Sequence, residues 1–172
     1  MNPLYDFTLP VFVKSLKALD AILLKAEAFL KEKGLSEAAL LELRLAPDMF
    51  PFKKQVQVVC DNAKGASARL AGMEVPAHPD TEESLSELRA RIAKTLEFLA
   101  TIPESAFADA ATHQVTLPYF PGKFMTGFDY TREYALPNFF FHLTTAYALL
   151  RKEGMNLGKA DYMGGLPLKD LS

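Results

Sequence analysis

Residues 137–154 form the most apolar stretch of the chain, and they constrain its fold more than any other segment. One set of apolar residues recurs at spacings of four, three and four, the period of a helix face: Phe139, Leu143, Ala146 and Leu150. Other large side chains cover most of the remaining circumference: Phe140, Phe141, Tyr147 and Leu149. A helix that is apolar nearly all round must be buried by neighbours on several sides. We therefore predict a central helix enclosed by other helices.

Composition indicates a single globular domain that spans residues 1–172. Of the 172 residues, 49% are hydrophobic and 23% are charged, which suits a folded chain with a proper core. The net charge of −2 is too small to favour nucleic acid or an anionic membrane as a partner. The longest uncharged run, residues 134–150, contains proline, asparagine and histidine, so a core helix is the better interpretation than a membrane span.

A cytoplasmic location is expected from the cysteine content and the first residues. The only cysteine, Cys60, excludes an internal disulfide and fits a reducing compartment. The chain starts with no basic segment followed by an apolar one, so we expect no signal peptide.

Three further segments show helical periodicity. The first covers residues 8–34, where Thr8 can cap the start and Gly34 suits the end. The second covers residues 51–72, and the third covers residues 81–102 with Thr81 as its cap. Together with the central helix, these segments predict an all-α four-helix bundle.

The connections carry less regular structure. Residues 104–136 include a predicted β-hairpin, with strands at 115–120 and 123–128, and this aromatic-rich segment is expected to cover part of the bundle. Asp129 could cap a brief helical turn after it, and Ser36 could start another short helix. The residues after Met155 are expected either to lie on the bundle as a strap or to be partly disordered.

The central helix carries the first candidate site residues. Asn138 and His142 are four residues apart and share one helix face, a layout used for metals in helix bundles. Two structural interpretations stay open: Asn138 follows a proline and could be an N-cap, and His142 could be a hydrogen-bonded core residue. His78 and His113 fall in predicted loops, and nothing in the sequence places them near His142.

The second predicted helix carries a set of polar or ligand-type residues that could line a pocket: Gln55, Gln57, Cys60, Asp61 and Asn62. Gln55 could point into the mouth of the bundle. Asp61 lies either at the margin of the apolar face or in solvent. Cys60 is interpreted most simply as a small buried apolar group.

Three stretches carry a resemblance to a known family: residues 43–64, residues 88–99 and, above all, residues 136–164. The chain resembles the DinB/YfiT-like superfamily, within a branch catalogued only as a domain of unknown function. The resemblance implies a four-helix bundle with up-down-down-up topology. It places the pocket at the inner ends of the second and fourth helices, roofed by the hairpin.

The resemblance also implies a type of site. Many members of the superfamily bind a divalent metal through one histidine on the second helix and a His-x-x-x-His pair on the fourth. In this chain, His142 falls on the second position of that pair and Asn138 on the first. The second helix has no histidine, so Gln55, Gln57 or Asp61 would have to take its place. Neutral amides are poor ligands for zinc or nickel, which favours a site without metal.

Two hypotheses about function follow. Some superfamily members are thiol-dependent transferases or isomerases, which implies a small-molecule enzyme with His142 as ligand or general base and Tyr147 or Asp61 assisting. The alternative is a non-catalytic bundle without metal that binds a small ligand or associates with itself. A homodimer is plausible for a bundle of this size.

Overall fold

The computed structural model describes residues 2–171 of the chain. Four long helices carry the core: α2 (Leu9–Lys33), α4 (Phe52–Leu70), α5 (Leu85–Ala100) and α7 (Leu136–Lys152). Shorter helices lie between and around them: α1 (Pro3–Phe7), α3 (Glu37–Leu41), α6 (Gly127–Asp129) and α8 (Lys159–Met163). A 3₁₀ turn (Glu104–Phe107), a hairpin of β1 (Gln114–Thr116) and β2 (Phe124–Thr126), and a π turn (Tyr130–Ala135) complete the order. The predicted all-α bundle with a small hairpin before its last long helix is confirmed.

The four long helices enclose one apolar core. α4 packs against both α5 and α7, while α2 packs against α5 and also carries α8 on its outer side. Phe12 of α2 and Phe139 of α7 are fully buried, and their ring centroids lie 4.7 Å apart. The Phe139 side of α7 is therefore buried as predicted, but Phe141 is 55% exposed, so the prediction of a helix enclosed all round is only partly right. No helix within residues 2–171 has both the length and the apolar character needed to cross a membrane.

Several predicted boundaries need correction. α5 starts three residues later than predicted, because the Ser84 hydroxyl accepts a hydrogen bond from the Glu87 amide at 3.1 Å and caps the helix in place of Thr81. The strands are only three residues long and pair in the register Val115 to Met125. Two prolines, at positions 118 and 121, fall between the strands and cannot donate ladder hydrogen bonds, which explains the shorter hairpin.

The start of the last long helix also differs from the prediction. Thr126, and not Asp129, caps the turn after the hairpin, since its hydroxyl accepts from the Asp129 amide at 3.1 Å. From there α6, the π turn and α7 follow without a break. Asn138 therefore lies inside a continuous helical segment and is not an N-cap.

The segment after Met155 forms a strap rather than a disordered tail up to residue 163. α8 packs on α2, where Asp161 pairs with Lys25 at 2.5 Å. On the side of α7, the hydroxyl groups of Tyr162 and Thr144 lie 2.9 Å apart. Two elements of the bundle are thus tied to the strap by polar contacts.

A buried arginine ties the loop at residues 73–84 to the bundle. Arg91 of α5 is only 4% exposed, and its guanidinium contacts Asp61 of α4 at 3.0 Å. It also contacts two loop carboxylates, Asp80 and Glu82, both at 2.9 Å. Because the loop cannot move without separating these charges, the cluster fixes the loop over the gap between α4 and α7.

Replacing Arg91 should destabilise the fold strongly. Arg91→Met leaves three carboxylates without their buried cation, and we expect a loss of about 3–5 kcal/mol in the free energy of unfolding at pH 7. Arg132→Met is the control, since Arg132 is exposed and its ion pairs should contribute less than about 1 kcal/mol. Urea denaturation measures both values.

The same stabilisation should depend on pH. Burial alone would raise the pKa of Glu82, but hydrogen bonds from Arg91, the backbone and Gln57 outweigh it and hold the pKa below 4.5. A carboxyl group with a depressed pKa stabilises the fold above its unfolded value and loses this effect as the pH falls. The difference between wild type and Arg91→Met should therefore shrink below pH 4.5. A difference that grows on acidification contradicts this account.

Candidate functional site

A cavity of about 810 Å³ lies between α4 and α7, bordered by the loop at residues 75–79 and by the hairpin side of the chain. This volume is in the range of small-molecule sites. Its polar lining comes from all of these elements: Lys54, Asp61, Asn62, Lys64, Arg69, His78, Tyr119, Tyr130, Tyr134, Asn138 and His142.

Four of these residues form a row along the last helical segment: Tyr130, Tyr134, Asn138 and His142. Their spacing of four residues keeps them on one side of the helix. Tyr130 and Tyr134 lie in the π turn, and their rings stack with centroids 5.7 Å apart. Local π turns occur often at functional sites, because they alter which side chains face a cavity.

His142 is held by a hydrogen bond that crosses from α7 to α4. Its Nδ1 atom lies 2.6 Å from Oε1 of Gln55, and Nε2 of Gln55 donates to the carbonyl oxygen of Phe50 at 2.9 Å. Because the amide nitrogen of Gln55 is already donating elsewhere, its oxygen faces the imidazole and accepts. Nδ1 of His142 therefore carries the proton, and Nε2 carries the lone pair.

Burial favours the neutral form of the His142 imidazole at pH 7. The residue is 8% exposed, and burial lowers its pKa below 6.5. The ring lies between two aromatic side chains. It stacks on Phe50 with ring centroids 6.3 Å apart and is edge-on to Phe141 with centroids 5.1 Å apart. Nε2 has no hydrogen-bond partner within residues 2–171, and the residue lines the cavity. The site thus presents a neutral base to whatever occupies the cavity.

Asn138 lies one turn before His142 and pairs with a second asparagine. Its Nδ2 atom donates to Oδ1 of Asn62 at 2.9 Å. Nδ2 of Asn62 is buried and has no hydrogen-bond partner in the described part of the chain. The pair therefore leaves one buried amide donor unsatisfied, next to the cavity that both residues line.

The polar residues predicted on the second long helix separate into two groups. Asp61 lines the cavity, but its carboxylate is held by Arg91 at 3.0 Å and by Lys64 at 2.9 Å. Gln57 is buried and donates to Glu82 at 2.9 Å, so it supports the loop and does not line the cavity. Gln55, by contrast, contacts the candidate base directly.

Two other candidates take no part in this cavity. Cys60 is fully buried, and burial raises the pKa of its thiol to about 12, so it remains an unreactive apolar group. Tyr147 lies on α7, but its hydroxyl donates to the carbonyl of Leu157 at 3.3 Å and its ring contacts Tyr162. The structure therefore does not bring Tyr147 together with His142.

His78, which nothing in the sequence placed near His142, lines the same cavity as that residue. Arg91 brings it there by donating to the carbonyl oxygens of Pro79 at 3.0 Å and of His78 itself at 3.4 Å. Burial lowers the pKa of His78, and nearby positive charges lower it further. The run of acidic residues that follows, including Asp80 and Glu82, was the available sequence signal for a loop folded back on a buried cation.

The metal implied by the superfamily fits these residues poorly. His142 offers one strong ligand atom, Asn138 is engaged with Asn62, and the charge of Asp61 is compensated by two cations. Within residues 2–171, no three histidine, cysteine, aspartate or glutamate side chains are grouped so that they could hold a metal ion. We therefore derive no chemical step through a metal.

The hydrogen bond to Gln55 should control the protonation of His142. In Gln55→Glu, a carboxylate would accept from Nδ1 and stabilise the imidazolium, so the pKa of His142 should rise above 6.5 by about 1 unit or more. Proton NMR titration of the imidazole measures the shift. Gln114→Glu adds the same charge at an exposed strand position and should leave the titration unchanged. An equal shift in both variants contradicts the contact.

The comparisons with known proteins agree with this architecture. Residues 4–163 match the family described as a domain of unknown function, DUF1993. No curated protein matches the chain. A crystal structure of a DinB family member protein from Shewanella denitrificans is 47% identical, covering 98% of this chain and 96% of that one with a TM-score of 0.94. The resemblance inferred from the sequence is thus confirmed, and the chain belongs to the DUF1993 family of DinB-like helical bundles.

Proposed function

We propose that the protein binds a small organic molecule in the cavity between α4 and α7 and that His142 acts on it as a neutral general base. The observation that carries the proposal is the free lone pair of Nε2 at the wall of a cavity of about 810 Å³. The reaction class we favour is a transferase or isomerase reaction that starts with removal of a proton from the bound molecule.

The chemistry requires only groups that are already in place. Nε2 of His142 takes a proton from an acidic S–H or activated C–H group, and the electron pair stays on the sulfur or carbon of the ligand. Nδ1 keeps its hydrogen bond to Gln55 throughout. Because that partner is a neutral amide and not a carboxylate, the imidazolium is not strongly stabilised and readily returns its proton to the product.

A thiol is a suitable reactant for such a base. Its pKa of about 8.5 in water lies close enough to that of an imidazole for proton transfer near neutral pH. The thiol-dependent transferases and isomerases of the superfamily also support a thiol as the reactant. Because residues 2–171 offer no group of three metal ligands, the proposed role of His142 depends on the base and not on coordination.

A second candidate is a non-catalytic binder of small ligands. It is favoured by the arrangement around Asp61, whose carboxylate is held by Arg91 and Lys64 and therefore cannot assist His142. Tyr147 lies elsewhere as well. Both candidates use the same cavity and differ only in whether proton transfer occurs there.

One variant tests the cavity that both candidates share, and a second tests the base that separates them. Val58→Phe fills the cavity that Val58 lines and should abolish any ligand-dependent rise in the melting midpoint. His142→Gln should retain binding but lose roughly 100-fold in turnover. Leu24→Phe, at an exposed position of α2, is the control and should behave as wild type in both assays.

The assay uses glutathione and cysteine as thiols and 1-chloro-2,4-dinitrobenzene as the electrophile at pH 7. Turnover that falls in His142→Gln supports the base, whereas binding without turnover in any variant supports the second candidate. Binding that persists unchanged in Val58→Phe shows that the cavity is not the site.

A further inference from the structure

The charges around the cavity are unequal in number. Three cations line it, Lys54, Lys64 and Arg69, and a fourth, Arg91, contacts the lining residue Asp61. Three carboxylates accompany them: Asp61, Asp80 and Glu82. Each of the three lies within 3.0 Å of a guanidinium nitrogen of Arg91, and the two lysines pair with Asp80 and Asp61. Arg69 is left over, since it forms no ion pair with a carboxylate of residues 2–171.

Arg69 is positioned for a ligand rather than for solvent. Its side chain is half-buried and folds back along α4, so that a Cβ atom added at Gly65 would lie 2.5 Å from Nη1 of Arg69. A larger residue at position 65 would require the guanidinium to shift. The guanidinium of Arg69 also contacts the hydroxyl group of Tyr130, a residue that is 2% exposed. Burial raises the pKa of that hydroxyl, and the charge of Arg69 acts against the rise.

The described lining of the cavity carries more positive than negative charge, since it includes Lys54, Lys64 and Arg69 but only one carboxylate, Asp61. Burial and the charges of Lys64, Lys94 and Arg91 lower the pKa of His78 on the cavity wall, and the charge of Asp61 opposes them. An anion that entered would thus meet a favourable potential and a guanidinium without a competing carboxylate.

Arg69 and His142 lie at opposite ends of the cavity. The imidazole is bonded to Gln55 and the guanidinium lies against Gly65, ten residues further along the same helix, which corresponds to about 15 Å at 1.5 Å per residue. One ligand can therefore contact both only if it is elongated. The side chains between them include Tyr134 and Asn138, which suit a flat body with polar edges.

We propose that the ligand of this cavity is an elongated carboxylic acid, with its carboxylate on Arg69 and its proton-donating group at Nε2 of His142. This inference rests on the proposed function and adds the class of the substrate. A carboxylate matches the single unpaired positive charge, whereas a phosphate monoester brings nearly two negative charges at pH 7.

The experiment compares a rigid acid with its neutral amide. The probes are trans-4-hydroxycinnamate, which carries a phenol at one end and a carboxylate at the other, and trans-4-hydroxycinnamamide. Isothermal titration gives the affinity of each, and the imidazole NMR signals of His142 report occupancy of the base end. In wild type the acid should bind roughly tenfold or more tightly than the amide.

Three variants test the role of Arg69. In Arg69→Gln the preference for the acid should disappear, and in Arg69→Lys part of it should remain because the charge is kept. Arg132→Gln removes an exposed arginine and should leave the preference unchanged. Since the preference is a ratio within one variant, a general loss of stability cannot mimic the result.

Each remaining outcome is decisive. Equal affinity for acid and amide in wild type, with movement of the His142 signals, overturns the carboxylate and leaves the proposed function intact. An unchanged preference in Arg69→Gln overturns the assignment to that residue. If neither probe binds and the His142 signals stay in place, the carboxylic acid is overturned as the ligand class, whereas the proposed function is decided by the thiol assay and Val58→Phe.

Discussion

The hydrogen bond between Gln55 and His142 is the interaction on which the candidate site depends. It joins the two helices that form the walls of the cavity, and it passes through a glutamine whose own orientation is fixed by the carbonyl of Phe50. The position and tautomer of the imidazole follow from this chain of contacts, and its neutral charge follows from burial. A histidine packed in the same place without Gln55 would be free to present either nitrogen, so the chemistry of the site comes from both helices together.

Arg91 and Arg69 have the same side chain, but the first stabilises the fold and the second is available to a ligand. Arg91 is buried among three carboxylates and holds the loop that closes one side of the cavity. Arg69 lines the cavity and contacts Tyr130, and it pairs with no carboxylate of residues 2–171. The charge of Arg91 is compensated by carboxylates of the protein, whereas the charge of Arg69 can be compensated by a bound ligand. The same comparison explains why Asp61, the predicted assistant of His142, belongs to the structural group.

The sequence predicted the elements that depend on local periodicity. The apolar seam around Phe139 defines a buried helix, and any bundle must then place His142 near its interior. Features that depend on contacts distant in sequence could not be found in this way. The cap at Ser84 depends on competition between neighbouring hydroxyl groups. The return of His78 to the cavity depends on its contact with Arg91, and the pairing of Gln55 with His142 joins residues that lie 87 positions apart. A π turn likewise has no distinct period in a sequence this short.

The most direct test of the account is the tautomer of His142 at pH 7. Long-range proton–nitrogen NMR of the imidazole distinguishes a protonated nitrogen from one with a free lone pair, and His142→Gln assigns the signals. We predict a neutral ring with its proton on Nδ1 and a bare Nε2, because Gln55 accepts from Nδ1 and burial disfavours the charge. A ring protonated on Nε2, or an imidazolium at pH 7, would contradict the account.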